Sequence, residues 1–482
     1  MTSNPRSHTT TELWRWSATD LARAIRGKEL SSVEAVSASL ERVKAVNPAL
    51  NALVQVHSDR ALGEAAAADR ALNAGEAVGP LHGVPIAIKD NVDEAGFPDS
   101  SGVVAWGEML ADEDAPVVRN LRAAGAISIG RTNVPAFALR YFSDNDLYGR
   151  TLNPWHPGKT PGGSSGGSAS AVAAGMVPMA HGNDLGGSIR YPAHVCGVMG
   201  LRPTVGRIPK SVGPSGKDPG LSLYAVLFAV EGPIARTASD LAAGLEAMSA
   251  KPDLRDAGCV PVPFTRERPL ERGATLGLYR GGEDARVDAT NQRALDRMAG
   301  WMRESGFRVD EIDVPQLPEA YRLYALLILE NTRPDLDNLR TFGGEAISRF
   351  MDQLYALEER FWPNPTPEAY FAGHLRRTVL IAEMQDLFSR YPVILMPASG
   401  VPIPDHDADQ RSETAGPLLA GLWPALCVPP LGLPALTLPI GTEDGLPTGV
   451  QLLGGRFSES RLLDVAEAVE PYAPSLTPID PR

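Results

Sequence analysis

The sequence predicts an α/β fold in which α-helices cover a β-sheet. Three observations point there. Val84-Pro85-Ile86-Ala87-Ile88 is a short apolar run between Gly83 and the polar Lys89-Asp90-Asn91, the pattern of a buried strand that ends in charged groups. A helical stretch over residues 116–124 leads directly into a second apolar run, Ala126-Ile127-Ser128-Ile129, so helix and strand recur as a pair. Helical periodicity precedes both: Leu21, Ala22 and Ile25 share one face, and Val33, Val36, Leu40 and Val43 another.

The elements follow in order. Residues 1–11 read as a loose polar tail. A helix over residues 18–26 precedes a second over 32–46, which Ser31 or Ser32 can cap with Glu34 placed for a capping box. Asn47-Pro48 is expected to stop it. An Ala-rich helix over 58–73 comes before the two strands already named. Residues 153–220 are dense in Gly, Ser and Pro, yet apolar stretches at 169–177 and 195–201 argue against low complexity. Glycine used this way lets backbones approach closely. The stretch from about 265 to 391 is richer in charge and aromatics. Residues 421–454 return to apolar runs broken by Pro and Gly and end in Val450-Gln451-Leu452-Leu453, and a helix over 460–469 follows. No repeat of fixed period is visible.

Composition narrows the function classes. With 43% hydrophobic and 21% charged residues, the 482-residue chain is not mainly disordered. Its length fits two or three average domains or one large α/β unit. A net charge of −13 argues against a nucleic-acid partner, which needs a basic stripe. No apolar run reaches membrane-spanning length, and the polar residues 1–11 lack a signal peptide's apolar segment, so no membrane partner is expected. Cys196, Cys259 and Cys427 have no CxxC spacing and read as three buried thiols in a reducing compartment, which places the protein in the cytoplasm.

Three segments carry chemistry. Pro161-Gly162-Gly163-Ser164-Ser165-Gly166-Gly167-Ser168 runs into an Ala-rich helix. It lacks the lysine of a Walker loop. It also lacks the strand that a GxSxG nucleophile elbow requires, because Pro154 and Pro157 interrupt the residues before it. A structural glycine loop stays open as a reading. In Asp184-Leu185-Gly186-Gly187-Ser188-Ile189-Arg190-Tyr191, glycines before a serine let backbone N–H groups converge into an anion nest beside a hydroxyl, or form a plain turn. Lys89 follows a buried strand. It is either a solvated charge or a buried amine whose lowered pKa suits it to act as a base.

Together these segments resemble the amidase signature family over nearly the whole chain. Residues 79–91 look like its lysine segment, 160–175 its serine- and glycine-rich core, and 184–193 its nucleophile segment. Gly200-Leu201-Arg202-Pro203-Thr204, residues 231–237 and 444–451 resemble later blocks. The resemblance implies a central mixed β-sheet covered on both faces by helices. It also implies one catalytic domain over 12–482, with a core at about 79–240, a variable pocket region at about 265–395 and a return to the sheet at about 396–470. Matched residue by residue, Ser188 is the nucleophile, Ser164 the bridging serine in a cis peptide after Gly163, and Lys89 the base. The N–H groups of Leu185, Gly186, Gly187 and Ser188 would hold the oxyanion, with Ser165, Asp184 and Arg190 behind them. Asp184 would hold Arg190 or the loop.

The implied activity is hydrolysis of small aryl or alkyl amides through an acyl-enzyme, with esters and carbamates (urethanes) as further substrates. No metal or organic cofactor is implied, and His82, His181 and His194 read as structural or pocket-lining. The expected partner is a small-molecule substrate, and a homodimer is compatible with the family. The alternative is the glutamine-hydrolysing subunit of a tRNA-dependent amidotransferase. That subunit usually has Gln where Tyr191 stands, so Tyr191 suggests a more apolar site, with Gly163, Tyr141 and Phe142 as further substrate contacts. The aromatics Tyr321, Tyr324, Phe342, Phe350, Tyr355, Phe361, Trp362 and Trp423 are candidate pocket or core residues. Asn183 replaces the family's usual Thr and is expected to alter support of the nucleophile loop. Arg202 replaces a usual Lys.

Overall fold

The computed structural model describes residues 10–210 and 223–482. In chain order its strands are β1 (Leu53–Val56), β2 (Pro85–Lys89), β3 (Ile127–Thr132), β4 (Asp144–Asn145), β5 (Gly149–Arg150), β6 (Met179–Asp184), β7 (Met199–Arg202), β8 (Val230–Ala235), β9 (Thr275–Leu278), β10 (Arg308–Glu311), β11 (Val393–Pro397), β12 (Ala435–Glu443) and β13 (Leu446–Gly454). β4 and β5 pair only with each other. The rest form one sheet in the order β1-β3-β2-β6-β8-β7-β12-β13-β11-β9-β10. The sheet is mixed. β2 runs parallel to β3 and β6, β12 and β13 form an antiparallel hairpin, and β9 runs parallel to β10 and β11.

Side chains alternate across the sheet, and this divides the core into two apolar layers. Ile86 and Ile88 enter one layer and Ala87 the other; Val393 and Leu395 oppose Ile394 and Met396 in the same way. Helices Ala18–Arg26, Pro116–Ala123, Ala238–Ser249, Ala289–Glu304 and Glu459–Val469 close the first layer. Helices Ser32–Leu50, Gly166–Ala173, Arg190–Cys196 and Gln316–Thr332 close the second. With both faces covered, every residue of β2 is buried, which explains its unbroken apolar run. The same alternation sends Lys89 to the face of Ala87, beneath the helices of the second layer.

The capping box is present: the Ser31 N–H donates to Glu34 Oε2 at 2.8 Å, and the Glu34 N–H to Ser31 Oγ at 3.1 Å. Asn47-Pro48 does not stop this helix, which continues to Leu50 with Pro48 in its last turn. Only there does Asn51 adopt the left-handed conformation and donate its N–H to the Asn47 carbonyl. The Asn47 side chain accepts from the N–H groups of Ala52 and Leu53, so it fixes the exit after the helix rather than ending it. The expected tail falls outside the described residues up to residue 9, and Thr10 opens a 3-10 helix, Thr10–Arg15. Cys196 and Cys427 are buried, whereas Cys259 is only half-buried. The aromatic-rich stretch supplies β9, β10 and four long helices, Ala289–Glu304, Gln316–Thr332, Leu336–Phe361 and Pro367–Arg390. No single helix among the described residues is long and apolar enough to cross a membrane.

Candidate active site

Lys89 ends β2 with no exposure to solvent. Its Nζ lies 2.7 Å from Ser164 Oγ and 2.5 Å from Asn183 Oδ1. Burial in this layer pulls the ammonium pKa down to about 7, although the charges of Glu231 and Asp184 pull the other way. The lysine can therefore be neutral near physiological pH.

Ser164 lies in the glycine-rich loop before the helix Gly166–Ala173, and the Gly163–Ser164 peptide is cis. A methyl group at Gly163 would sit 2.4 Å from the Arg140 carbonyl oxygen, so only glycine fits against that backbone. Ser165 joins the two serine segments. Its N–H donates to the Ser188 carbonyl at 3.2 Å, and its hydroxyl to the Asn183 carbonyl at 3.3 Å. β2 and the glycine loop thus bring Lys89 and Ser164 into contact, and Ser165 ties that loop to the backbone of Ser188 in the loop after β6. Exposure rises from 0% at Lys89 to 1% at Ser164 and 8% at Ser188.

Asp184 organises the loop that carries Ser188. Its carboxylate accepts from the N–H groups of Gly187 at 2.9 Å and Ile189 at 3.2 Å, from Arg190 Nε and Nη2 at 3.0 Å each, and from Arg202 Nη1 at 3.1 Å. Burial would raise its pKa, but Arg190 and Arg202 outweigh burial and hold it well below the usual carboxylate range. Arg190 reaches on to Gln451 of β13 and to the Ala425 carbonyl, both at 2.8 Å, which ties the loop to the sheet. Asp184 therefore holds both Arg190 and the loop.

Gly187 departs from expectation because its N–H is engaged by Asp184. The N–H groups of Leu185, Gly186 and Ser188 make no hydrogen bond among the described residues. Asp184 thus takes the N–H groups of Gly187 and Ile189 and leaves those of Leu185, Gly186 and Ser188 uncommitted among the described residues. Gly187 itself has φ 102°, and a methyl group there would lie 2.5 Å from the Ala425 Cβ. Gly187→Ala is expected to lower kcat by about 10²-fold by displacing the loop that carries Ser188; steady-state kinetics against a thermal-unfolding control checks this.

Ser188 lines a cavity of about 40 Å³. Leu185, Ala138, Leu139, Tyr141, Tyr324 and Ile328 form part of its wall, together with Phe350, Met351 and Leu354 of the helix Leu336–Phe361. Tyr141, Ser188, Tyr324 and Thr332 bring hydroxyls, and among the described residues the wall carries no charged side chain. Among the expected contacts, Tyr141 lines the pocket and donates its hydroxyl to the Gly186 carbonyl at 2.9 Å. Tyr191 and Phe142 do not line it. Tyr191 packs edge-on against Tyr141, with ring centroids 5.8 Å apart, and Phe142 is buried beneath the Arg140 guanidinium. Gly163 is likewise buried behind the wall, against the backbone of residues 140–142.

The other aromatics divide. Tyr324 and Phe350 join the Ser188 pocket. Tyr321 and Phe361 border a separate cavity of about 790 Å³ that touches none of Lys89, Ser164 and Ser188. Trp362 and Trp423 donate to carbonyls of Arg322 and Arg286, Tyr355 to that of Leu329, and Phe342 is exposed. His181 pairs with Glu231 at 2.8 Å, His82 with the Ala68 carbonyl at 3.0 Å, and His194 is buried. No group of three or more metal-ligating side chains occurs among the described residues. Asn183 supports the lysine rather than only the nucleophile loop. The roles of Arg202, Asn91 and Gln451 were not signalled locally, because each partner is distant in sequence.

Residues 34–463 match the Amidase family. An indoleacetamide hydrolase from Bradyrhizobium diazoefficiens is 41% identical over 95% of this chain and 86% of its own. A glutamyl-tRNA(Gln) amidotransferase subunit from Moorella thermoacetica is 34% identical over 95% of this chain and 97% of its own. The crystal structure of a bacterial aryl acylamidase of the amidase signature family superposes with a TM-score of 0.81 at 26% identity, covering 96% of this chain and 97% of that one.

Proposed function

This chain belongs to the amidase signature family and is an enzyme that hydrolyses amide C–N bonds, and from that premise we propose that its substrates are small aryl or alkyl amides, arylacetamides foremost, cleaved by Ser188 with Ser164 and Lys89 as its proton relay. The observation that carries the relay is the 2.7 Å contact between Lys89 Nζ and Ser164 Oγ, with Ser188 lining the neighbouring pocket. Neutral Lys89 takes the Ser164 proton as Ser164 takes that of Ser188. Ser188 Oγ bonds to the carbonyl carbon, and the negative oxygen is held by the N–H groups of Leu185, Gly186 and Ser188. The relay returns a proton to the leaving amine as the C–N bond breaks. Water then enters by the same route and frees the acid.

The uncharged wall supports the substrate class. Free glutamine carries an ammonium and a carboxylate that this pocket would strip of water without pairing them. An aryl ring, by contrast, gains by burial against Tyr324, Phe350 and Leu354. The likeness to an indoleacetamide hydrolase agrees with that choice. Esters and carbamates present the same carbonyl to Ser188 and belong in the test.

A panel of an arylacetamide, an anilide, glutamine, an ester and a carbamate decides the matter. The arylacetamide is expected to exceed glutamine in kcat/KM by at least about a hundredfold. Ser188→Ala is expected to abolish both turnover and labelling by a fluorophosphonate probe. Preference for glutamine would favour the amidotransferase reading instead, and undiminished labelling of Ser188→Ala would remove Ser188 as the nucleophile.

A further inference from the structure

We propose that Asn183, braced by Asn91, is the positioning residue that turns the Lys89 lone pair onto Ser164. This rests on the proposed role of Lys89 as the base. A neutral primary amine has two N–H bonds and one lone pair, and it rotates freely about Cε–Nζ unless something holds it. As a base it must direct the lone pair, not an N–H, at the Ser164 hydroxyl. Asn183 Oδ1 lies 2.5 Å from Nζ, and an amide oxygen only accepts. It therefore takes one N–H of Lys89 in either protonation state, leaving the lone pair for the Ser164 side, where Oγ is 2.7 Å away.

The amide itself is fixed. Asn183 Nδ2 donates to Asn91 Oδ1 at 2.9 Å. Turning the amide over would set Nδ2 against Nζ and one oxygen against the other, losing both contacts. A hydroxyl at position 183 would lack this selectivity, because it could donate into the lone pair and compete with Ser164. The carboxylates that face Lys89 are committed elsewhere. Glu231 on β8 pairs with His181, and Asp184 at the end of β6 pairs with Arg190 and Arg202. Asn183 is thus the neutral acceptor that touches Nζ, and it orients the amine without a full charge that would keep it protonated.

The test is the pH dependence of kcat and kcat/KM on an amide substrate for Asn183→Leu, Asn183→Asp and Asn91→Ala, with Lys89→Ala as reference and thermal unfolding confirming a folded enzyme. Asn183→Leu is expected to lower kcat by about 10- to 100-fold with little change in KM, because orientation matters in the transition state. Asn91→Ala is expected to show a smaller loss of the same kind. Asn183→Asp places a carboxylate on Nζ, so the rising limb should move about 1–3 pH units more alkaline, with activity recovering above it. That displacement is not expected of a merely structural residue. Should Asn183→Leu fail to fold, Asn183→Asp and Asn91→Ala still give the reading. The proposal is overturned if the folded variants keep turnover within about twofold of wild type and the limb does not move, while Lys89→Ala is inactive. If Lys89→Ala itself turns over normally, it is the base assignment that fails.

Discussion

Lys89→Met is expected to lower kcat by about 10²–10⁴-fold with little change in KM, since proton transfer belongs to the transition state. The wild-type rate should rise through a limb near pH 7, where the buried ammonium loses its proton. A flat profile from mildly acidic to alkaline pH, or wild-type turnover in the variant, would contradict the assignment. The same substitution has a signature in stability. Unfolded lysine titrates near 10.5, whereas in the fold it titrates near 7. Below pH 7 both states are protonated and the fold bears the full cost of burying a cation. Between those values the unfolded chain binds the extra proton, so wild-type stability rises with pH, by about 1.4 kcal/mol for each pH unit. Lys89→Met lacks this dependence. Wild type should therefore gain on the variant as pH rises from 7 to about 10, as measured by urea unfolding at several pH values.

Asp184→Ala is expected to cost about 3–5 kcal/mol and to abolish activity, because it leaves two buried guanidinium groups without their counter-charge. Arg190 and Arg202 would keep only neutral acceptors: Gln451 and the carbonyls of Ala425, Phe228 and residue 184. The freed Gly187 N–H would no longer hold the loop in register. Because the Asp184 pKa is depressed in the fold, its contribution is fully present above the ordinary value of 3.8 and is lost as pH falls through the lower folded value. The stability gap between wild type and variant should thus be constant at neutral pH and narrow only in strong acid. Chemical denaturation resolves it, and a gap below about 1 kcal/mol would mean that the charge cluster does not hold the loop.

What could be read from the sequence was what neighbouring residues decide. The buried strand before Lys89, the Ser31–Glu34 capping box and the glycine-flanked serine segments each announce themselves within a few positions. The grip of Asn183 on Lys89 spans 94 residues, and that of Arg190 on Gln451 spans 261. Such pairings depend on strand order and leave no local trace. Peptide orientation was equally hidden: a run of glycines predicts converging N–H groups, but the carboxylate of Asp184 decides which of them turn away. Helix phase explains the pocket. Tyr191 and Tyr324 are both aromatic and both buried, yet only the packing of their helices places one behind the wall and the other in it.

The proposed reacting groups, Lys89, Ser164 and Ser188, stand on segments between residues 89 and 188, whereas Tyr324, Phe350 and Leu354 come from helices between β10 and β11. The pocket wall draws on both stretches, with Ala138, Leu139, Tyr141 and Leu185 from the first. An engineer seeking a new specificity can therefore randomise Tyr324, Phe350 and Leu354, the part of the wall that lies outside the segments bearing Lys89, Ser164 and Ser188.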